Sequence, residues 1–152
     1  MITHLYKLFI SKWFISIRFY GDVYDYDEYR DKQELVNDEN IIQINDGVYA
    51  HFAPEPNVNV GSGNSYNQMH PDNYQYLIRG LEKVSRKIKN NSVYNNTVVV
   101  ITRVEHNHCD YQDEGLTAGI MEWAAKAFDF ECPKTDVSFD GQKNKYIYDF
   151  MK

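Results

Sequence analysis

Four side chains of the kinds that bind metals or act as nucleophiles stand in one short run of the sequence: His106, His108, Cys109 and Asp110. Two imidazoles with a thiolate or a carboxylate are ligands that zinc accepts. A thiol beside histidines is also the chemistry of a cysteine nucleophile, if the fold brings thiol and base together. The sequence has neither an HExxH motif nor a pair of CxxC motifs to complete a metal site. A polar loop that caps a following helix explains the run more simply, so we predict no catalytic residue and no cofactor.

A second group of residues suits protein binding rather than catalysis. Residues 22–39 hold eight acidic residues against two basic ones, an excess of six negative charges that equals the net charge of the whole chain, −6. Tyrosines alternate with the first of these carboxylates, and the candidate partner-binding residues are Asp22, Tyr24, Asp25, Tyr26, Asp27, Glu28 and Tyr29. Tyrosine offers a large contact area with a polar tip, and clustered carboxylates attract a basic surface. The segment therefore predicts a basic protein partner and disfavours nucleic acid.

Ordinary explanations compete with this interface hypothesis. A run of charges is usually a solvated face, and the 13 tyrosines also fit the codon usage of an AT-rich genome. Asp113 and Glu114, with Asp110, resemble a pair of catalytic carboxylates, but acids also gather at the start of a helix because its dipole favours them there. We prefer the helix-dipole interpretation and expect Asp113 to be the N-cap of a helix.

The remaining patterns predict the elements that position these groups. Alternating apolar residues indicate a strand at 13–20, followed by the acidic stretch 21–39 as a loop or short surface helix. A hairpin is expected over 41–52, with Asn45-Asp46-Gly47 as its turn, and a long loop over 53–73. Apolar residues spaced by three and four predict a helix over 71–89.

The second half of the chain predicts three further features. The β-branched run 98–104 indicates a strand covered on both faces, hence central in the sheet. A helix follows it, and two strands at 137–139 and 146–150 are joined by a turn at Asp140-Gly141. The order suits an α+β fold in which two main helices pack on a single, mostly antiparallel sheet, and the length of 152 residues suits one domain over 1–152.

The cellular compartment is predicted from cysteines and hydropathy. Cys109 and Cys132 are too few for a disulfide framework, so we expect free thiols in a reducing compartment. The apolar N-terminal twenty residues are interrupted by charges and lack the unbroken run of a membrane span or signal peptide. We expect a cytoplasmic protein without a membrane partner.

The segment from Val98 to Phe130 also carries a family resemblance. An apolar strand leads into His108-Cys109-Asp110-Tyr111-Gln112-Asp113-Glu114-Gly115-Leu116, and then into a helix with alanine and tryptophan that ends near Phe130. This pattern resembles small bacterial immunity proteins of polymorphic and contact-dependent toxin systems, over about a fifth of the chain. The resemblance implies a cytosolic, non-enzymatic protein that neutralises one cognate toxin, and it assigns a role to no individual residue.

Three functions remain open on the sequence. The first is a protein-binding module of the immunity type, whose partner is a cognate toxin such as a basic nuclease, or another basic protein. The second is a small metal- or thiol-dependent enzyme that uses the cluster from His106 to Asp110. The third is a subunit of an assembly in which the apolar, aromatic N-terminus forms the contact between copies.

Overall fold

The computed structural model of the chain describes residues 1–10, 13–32, 41–55, 58–60, 63–65, 68–106 and 112–150. Its strands are β1 (Ile2–Ile10), β2 (Trp13–Asp25), β3 (Ile41–Asn45), β4 (Val48–Phe52), β5 (Val58–Val60), β6 (Gly63–Ser65), β7 (Thr97–His106), β8 (Thr135–Asp140) and β9 (Lys145–Phe150). Its α-helices are α1 (Tyr26–Lys32), α2 (Tyr74–Asn91) and α3 (Asp113–Phe128), and a 3-10 turn, Pro71–Asn73, leads into α2.

Five of these strands form the main sheet, in the order β1-β2-β7-β4-β3. All neighbours are antiparallel except β4 and β7, which run parallel. The predicted α+β fold with a mostly antiparallel sheet is confirmed. The central position predicted for the apolar strand is also confirmed, since β7 lies between β2 and β4.

The helices α2 and α3 cover one face of the sheet, which we call the inner face. Their buried side chains join those of Ile15, Ile17 and Phe19 in one large apolar cluster. Helix α3 comes close to β2 at Gly119, where a Cβ atom would lie 2.4 Å from the Phe19 ring. A glycine at this point is therefore what lets the helix approach the strand. The opposite face, the outer face, has a smaller apolar cluster built on Tyr29, Val98 and Val100.

The N-terminal residues form an additional strand that the sequence patterns did not predict. Strand β1 pairs with β2 along its whole length, from Ile2 opposite Gly21 to Ile10 opposite Trp13. Strand β2 also runs further than expected, because its pairing with β7 continues to Asp25. The prediction that residues 21–25 are loop or helix is wrong for this reason: backbone pairing with β7 outweighs the low β-propensity of the acidic residues.

The other predicted boundaries are largely confirmed. The β3–β4 hairpin turns at Asp46 and Gly47, and Gly47 has the positive φ of 77° that such a turn requires. Helix α2 follows the Pro71 turn and ends at Asn91. Asp113 is not the N-cap of α3: that position belongs to Gln112, and Asp113 stands in the first turn.

The C-terminal strands do not join the main sheet, contrary to the expectation of a single sheet. β8 and β9 form their own two-stranded hairpin. The side-chain amide of Gln112 makes two hydrogen bonds to the backbone of Tyr146. It accepts from the Tyr146 N–H and donates to the Tyr146 carbonyl oxygen at 2.9 Å. The buried Tyr146 ring joins the large apolar cluster. These contacts attach the hairpin to the start of α3 instead of to a sheet edge. A further short hairpin, β5–β6, lies within the expected loop over 53–73.

Candidate interaction surface

Helix α1 lies on the outer face of the sheet and is held there by two tyrosines. Tyr29 is 8% exposed, and its hydroxyl lies 2.6 Å from Nδ1 of the buried His51. The ring of Tyr26 stacks on that of Tyr49, with centroids 3.8 Å apart. Burial lowers the pKa of His51, so its imidazole is neutral at pH 7. Tyr26 and Tyr29 were candidate partner-binding residues, and in the folded chain they serve instead to attach α1 to the sheet.

The carboxylates of α1 point away from the sheet. Asp27, Glu28 and Asp31 have 58%, 61% and 76% of their side-chain surface exposed. Arg30 lies 3.9 Å from Asp27 and 3.7 Å from Asp31. Lys32 donates to Glu28 at 2.7 Å, and this hydrogen bond lowers the pKa of the Glu28 carboxyl. From Asp22 to Lys32 five acids face two bases, an excess of three negative charges, of which α1 itself contributes one and the end of β2 two.

Asp22 and Asp25, at the end of β2, have local structural partners. Asp22 lies 3.2 Å from the amino group of Met1. Asp25 accepts a hydrogen bond from the backbone N–H of Glu28 at 3.3 Å, which caps the first turn of α1. The remaining acids of the stretch 22–39, which are Glu34, Asp38 and Glu39, lie outside the described residues.

Tyr24 has an exposed ring beside a cleft. It is 41% exposed and stacks on Tyr29, with centroids 5.2 Å apart. The cleft has a volume of about 280 Å³, and its lining residues are Tyr24, Asp25, Glu28, Tyr29, Lys32 and Tyr94. Tyr94 belongs to the turn before β7, and the pairing of Tyr24 with Val98 brings that turn beside α1. No local pattern in the sequence links residue 94 to this surface.

The outer face also holds, away from α1, a charged network that sequence reasoning missed. Arg103 is only 9% exposed, although it is an arginine on a central strand. It lies 3.7 Å from Glu55 and 3.7 Å from Glu105, and the Tyr20 hydroxyl donates to Glu105 at 2.6 Å. The signal was present in the sequence as Arg103 and Glu105, two charged residues at the end of an otherwise apolar strand. In this network a single arginine on the sheet pairs with two carboxylates.

The possible metal or thiol site is described only in part. His106 ends β7, and its backbone N–H donates to the Gln68 side chain. His108, Cys109 and Asp110 lie outside the described residues. Among the residues that are described, no group of three histidine, cysteine or acidic side chains is arranged to hold a metal. The enzyme hypothesis built on this run therefore stays a prediction.

The second cysteine has the properties of an inert thiol. Cys132 is partly buried and has no disulfide partner in the described part of the chain. Burial raises its pKa to about 11, and the nearby Glu122 carboxylate adds to the effect. At pH 7 the thiolate that would act as nucleophile is therefore scarce.

Comparison of the chain with models of protein families, with curated proteins and with solved structures finds no match. In the described ranges, every helix is too short or too polar to cross a bilayer.

Proposed function

We propose that this chain is a cytosolic protein-binding module of the immunity type, which binds a cognate toxin through the acidic face of α1 and neutralises it. The observation that carries the proposal is that one short helix presents exposed carboxylates outward while its tyrosines fasten it to a sheet. A basic protein, such as a nuclease with a cationic substrate site, has the surface that this helix complements.

The attachment of α1 favours binding because it fixes the carboxylates before the partner arrives. An isolated helix of seven residues is unstable in water. Here Tyr29 and Tyr26 hold it through a buried hydrogen bond and a ring stack. A surface that is already ordered loses less conformational entropy on binding than a flexible acidic segment would.

The charge of α1 favours rapid encounter with a cationic surface. The segment from Asp22 to Lys32 has an excess of three negative side-chain charges, and the carboxylates of Asp27, Glu28 and Asp31 are exposed on α1. Such a local field raises association rates with basic proteins and repels the phosphates of nucleic acids. The exposed ring of Tyr24 adds the apolar contact area that charge alone does not supply.

The decisive variant neutralises the acidic face without changing its shape: Asp25→Asn, Asp27→Asn and Glu28→Gln together. The asparagine at 25 keeps an oxygen that can cap α1. We expect association with the toxin to slow by about 10-fold at low salt, and the rate to depend less on ionic strength. Stopped-flow fluorescence over a series of salt concentrations measures both effects.

The control variant makes the same change of net charge elsewhere: Glu131→Gln, Asp136→Asn and Asp149→Asn. These three exposed acids lie on and beside the β8–β9 hairpin, away from α1. Both variants change the net charge from −6 to −3. Equal slowing in the two variants would mean that overall charge, and not the α1 surface, governs association.

The toxin itself is sought in the product of the adjacent gene. Its toxic domain is expressed in a host cell with and without this chain, and survival is scored. Protection by the wild-type chain, reduced by the α1 variant and kept by the control variant, is the result that the proposal predicts. If the two proteins neither bind nor alter survival, that product is not the cognate toxin.

A further inference from the structure

The molecule twice uses the same arrangement of an arginine, a tyrosine ring and a carboxylate. Arg103 lies over the Tyr20 ring at 5.7 Å and 3.7 Å from the Glu105 carboxylate. The guanidinium is planar, so it stacks on an aromatic face while its edge meets a carboxylate.

The second example is on α1. Arg30 lies over the Tyr26 ring at 5.4 Å and 3.9 Å from the Asp27 carboxylate. In both cases the arginine that pairs with the carboxylate belongs to this chain.

The cleft between α1 and the turn before β7 has the same components without the arginine. Its tyrosine rings are Tyr24, Tyr29 and Tyr94, and its carboxylates are Asp25 and Glu28. Its described lining includes one base, the lysine Lys32, and no arginine.

We propose that this cleft receives one arginine side chain of a protein partner. The proposal rests on the proposed function, because it names the chemical group by which the basic partner is anchored. The guanidinium stacks on Tyr24 or Tyr94, and its N–H groups donate to Asp25 and Glu28. A volume of about 280 Å³ accommodates a single long side chain.

Both walls of the cleft are fixed before the arginine enters. The first residue of α1 donates from its backbone N–H to the carbonyl of Asn96 at 2.8 Å, which ties the helix to the turn. The turn itself is held by Ser92, whose hydroxyl lies 2.6 Å from that of Thr97 and accepts from the N–H of Tyr94. The cleft therefore needs little rearrangement to bind.

Lys32 is the group that the incoming arginine displaces. It pairs with Glu28 at 2.7 Å, and both side chains are more than half exposed. Exposed pairs of this kind are weak, so the exchange opposes binding only slightly. Lysine lacks the planar face and the fork of donors, and the cleft should prefer a guanidinium to an ammonium.

The test uses the isolated full chain and small probes, so it does not depend on knowing the partner. The ¹⁵N-labelled protein is titrated with N-acetyl-arginine amide, N-acetyl-lysine amide and N-acetyl-citrulline amide, and amide shifts are followed by NMR. We expect saturable shifts at Tyr24, Asp25, Glu28 and Tyr94 with the arginine probe, in the millimolar range. Lysine should bind at least about 3-fold more weakly, and the neutral citrulline should not saturate.

Two pairs of variants separate the cleft from general effects. Tyr94→Ser should lower the affinity for the arginine probe by about 2- to 5-fold. Phe9→Ser changes an exposed aromatic residue outside the cleft and should leave that affinity unchanged. Glu28→Gln should likewise lower the affinity for the arginine probe, and Glu131→Gln should leave it unchanged. Each variant is first shown by its NMR spectrum to be folded, and these single substitutions at exposed positions are expected to pass.

Three outcomes overturn the inference. The first is that the arginine probe causes no saturable shifts at the cleft, and the second is that it binds no more tightly than the citrulline probe. The third is that a variant and its control lose the same affinity for the arginine probe. Equal affinity for arginine and lysine overturns the preference for a guanidinium. None of these outcomes bears on the slowing of toxin association by the α1 variant. If the chain binds the arginine probe but protects no host from any toxin, the cleft is confirmed as an arginine site and the proposed function is wrong.

Discussion

One of the contacts that attach α1 to the sheet is made by a buried hydroxyl, and its removal gives a sharp test of the structure. Tyr29→Phe keeps the ring in place but deletes the group that lies 2.6 Å from His51 Nδ1. The lost hydrogen bond, and the buried imidazole nitrogen left without it, should lower the free energy of unfolding by about 1–3 kcal/mol. With an m-value near 2 kcal/mol/M, the urea midpoint should fall by about 0.5–1.5 M.

Tyr94→Phe is the matched control for this change. It deletes the same hydroxyl from a ring that is 36% exposed, and its effect should stay within about 0.5 kcal/mol. Urea unfolding followed by circular dichroism measures both variants, and hydrogen exchange of the α1 amides reports whether the helix detaches. If Tyr29→Phe and Tyr94→Phe unfold at the same urea concentration with the same α1 protection, the hydroxyl does not hold α1 in place.

Two further predictions concern pH and packing. Because burial lowers the pKa of His51, the unfolded chain binds a proton before the folded chain does. Stability should therefore be fully present above about pH 6.5 and fall as the pH drops below it. Denaturation measured from about pH 7.5 to about pH 5.5 should show a weaker pH dependence in His51→Gln than in the wild-type chain. Equal pH dependence in the two proteins would contradict the role given to His51. Gly119→Ala places a methyl group 2.4 Å from the fully buried Phe19 ring and should cost about 1–3 kcal/mol in thermal or urea unfolding. Gly141→Ala is the control, because a Cβ atom there has nothing within 4 Å, and it should lower the free energy of unfolding by less than about 0.5 kcal/mol. If both variants lose a similar free energy of unfolding, α3 has room for a side chain at residue 119.

Several elements were predictable because the residues that stabilise them follow a regular pattern within a short stretch of the sequence. Leu77, Leu81, Val84 and Ile88 recur at helical intervals, and all four are buried under α2. Strand β7 was predictable because a β-branched apolar run fits a position covered on both faces. The turn at Gly47 follows from a residue that tolerates positive φ.

Other elements depended on partners that are distant in the sequence. β1 exists because β2 offers it a paired edge, and β2 continues into the acidic stretch because β7 pairs with it as far as Asp25. β8 and β9 form a separate hairpin because the Gln112 side chain holds Tyr146 at the start of α3. Contacts between residues that are distant in the sequence leave no repeating pattern in it, so residue spacing and secondary-structure propensity do not predict them.

The sequence by itself determined the composition of the candidate surface: an acidic, tyrosine-rich segment with an excess of negative charge. Only the tertiary structure decided the direction of each side chain, turning Tyr26 and Tyr29 toward the sheet and leaving Asp27 and Glu28 in solvent. It also brought Tyr94 beside Tyr24 across seventy positions of the chain. The physical reason is that a tyrosine is equally suited to packing and to contact, so its role is fixed by which surface the helix meets when the sheet forms.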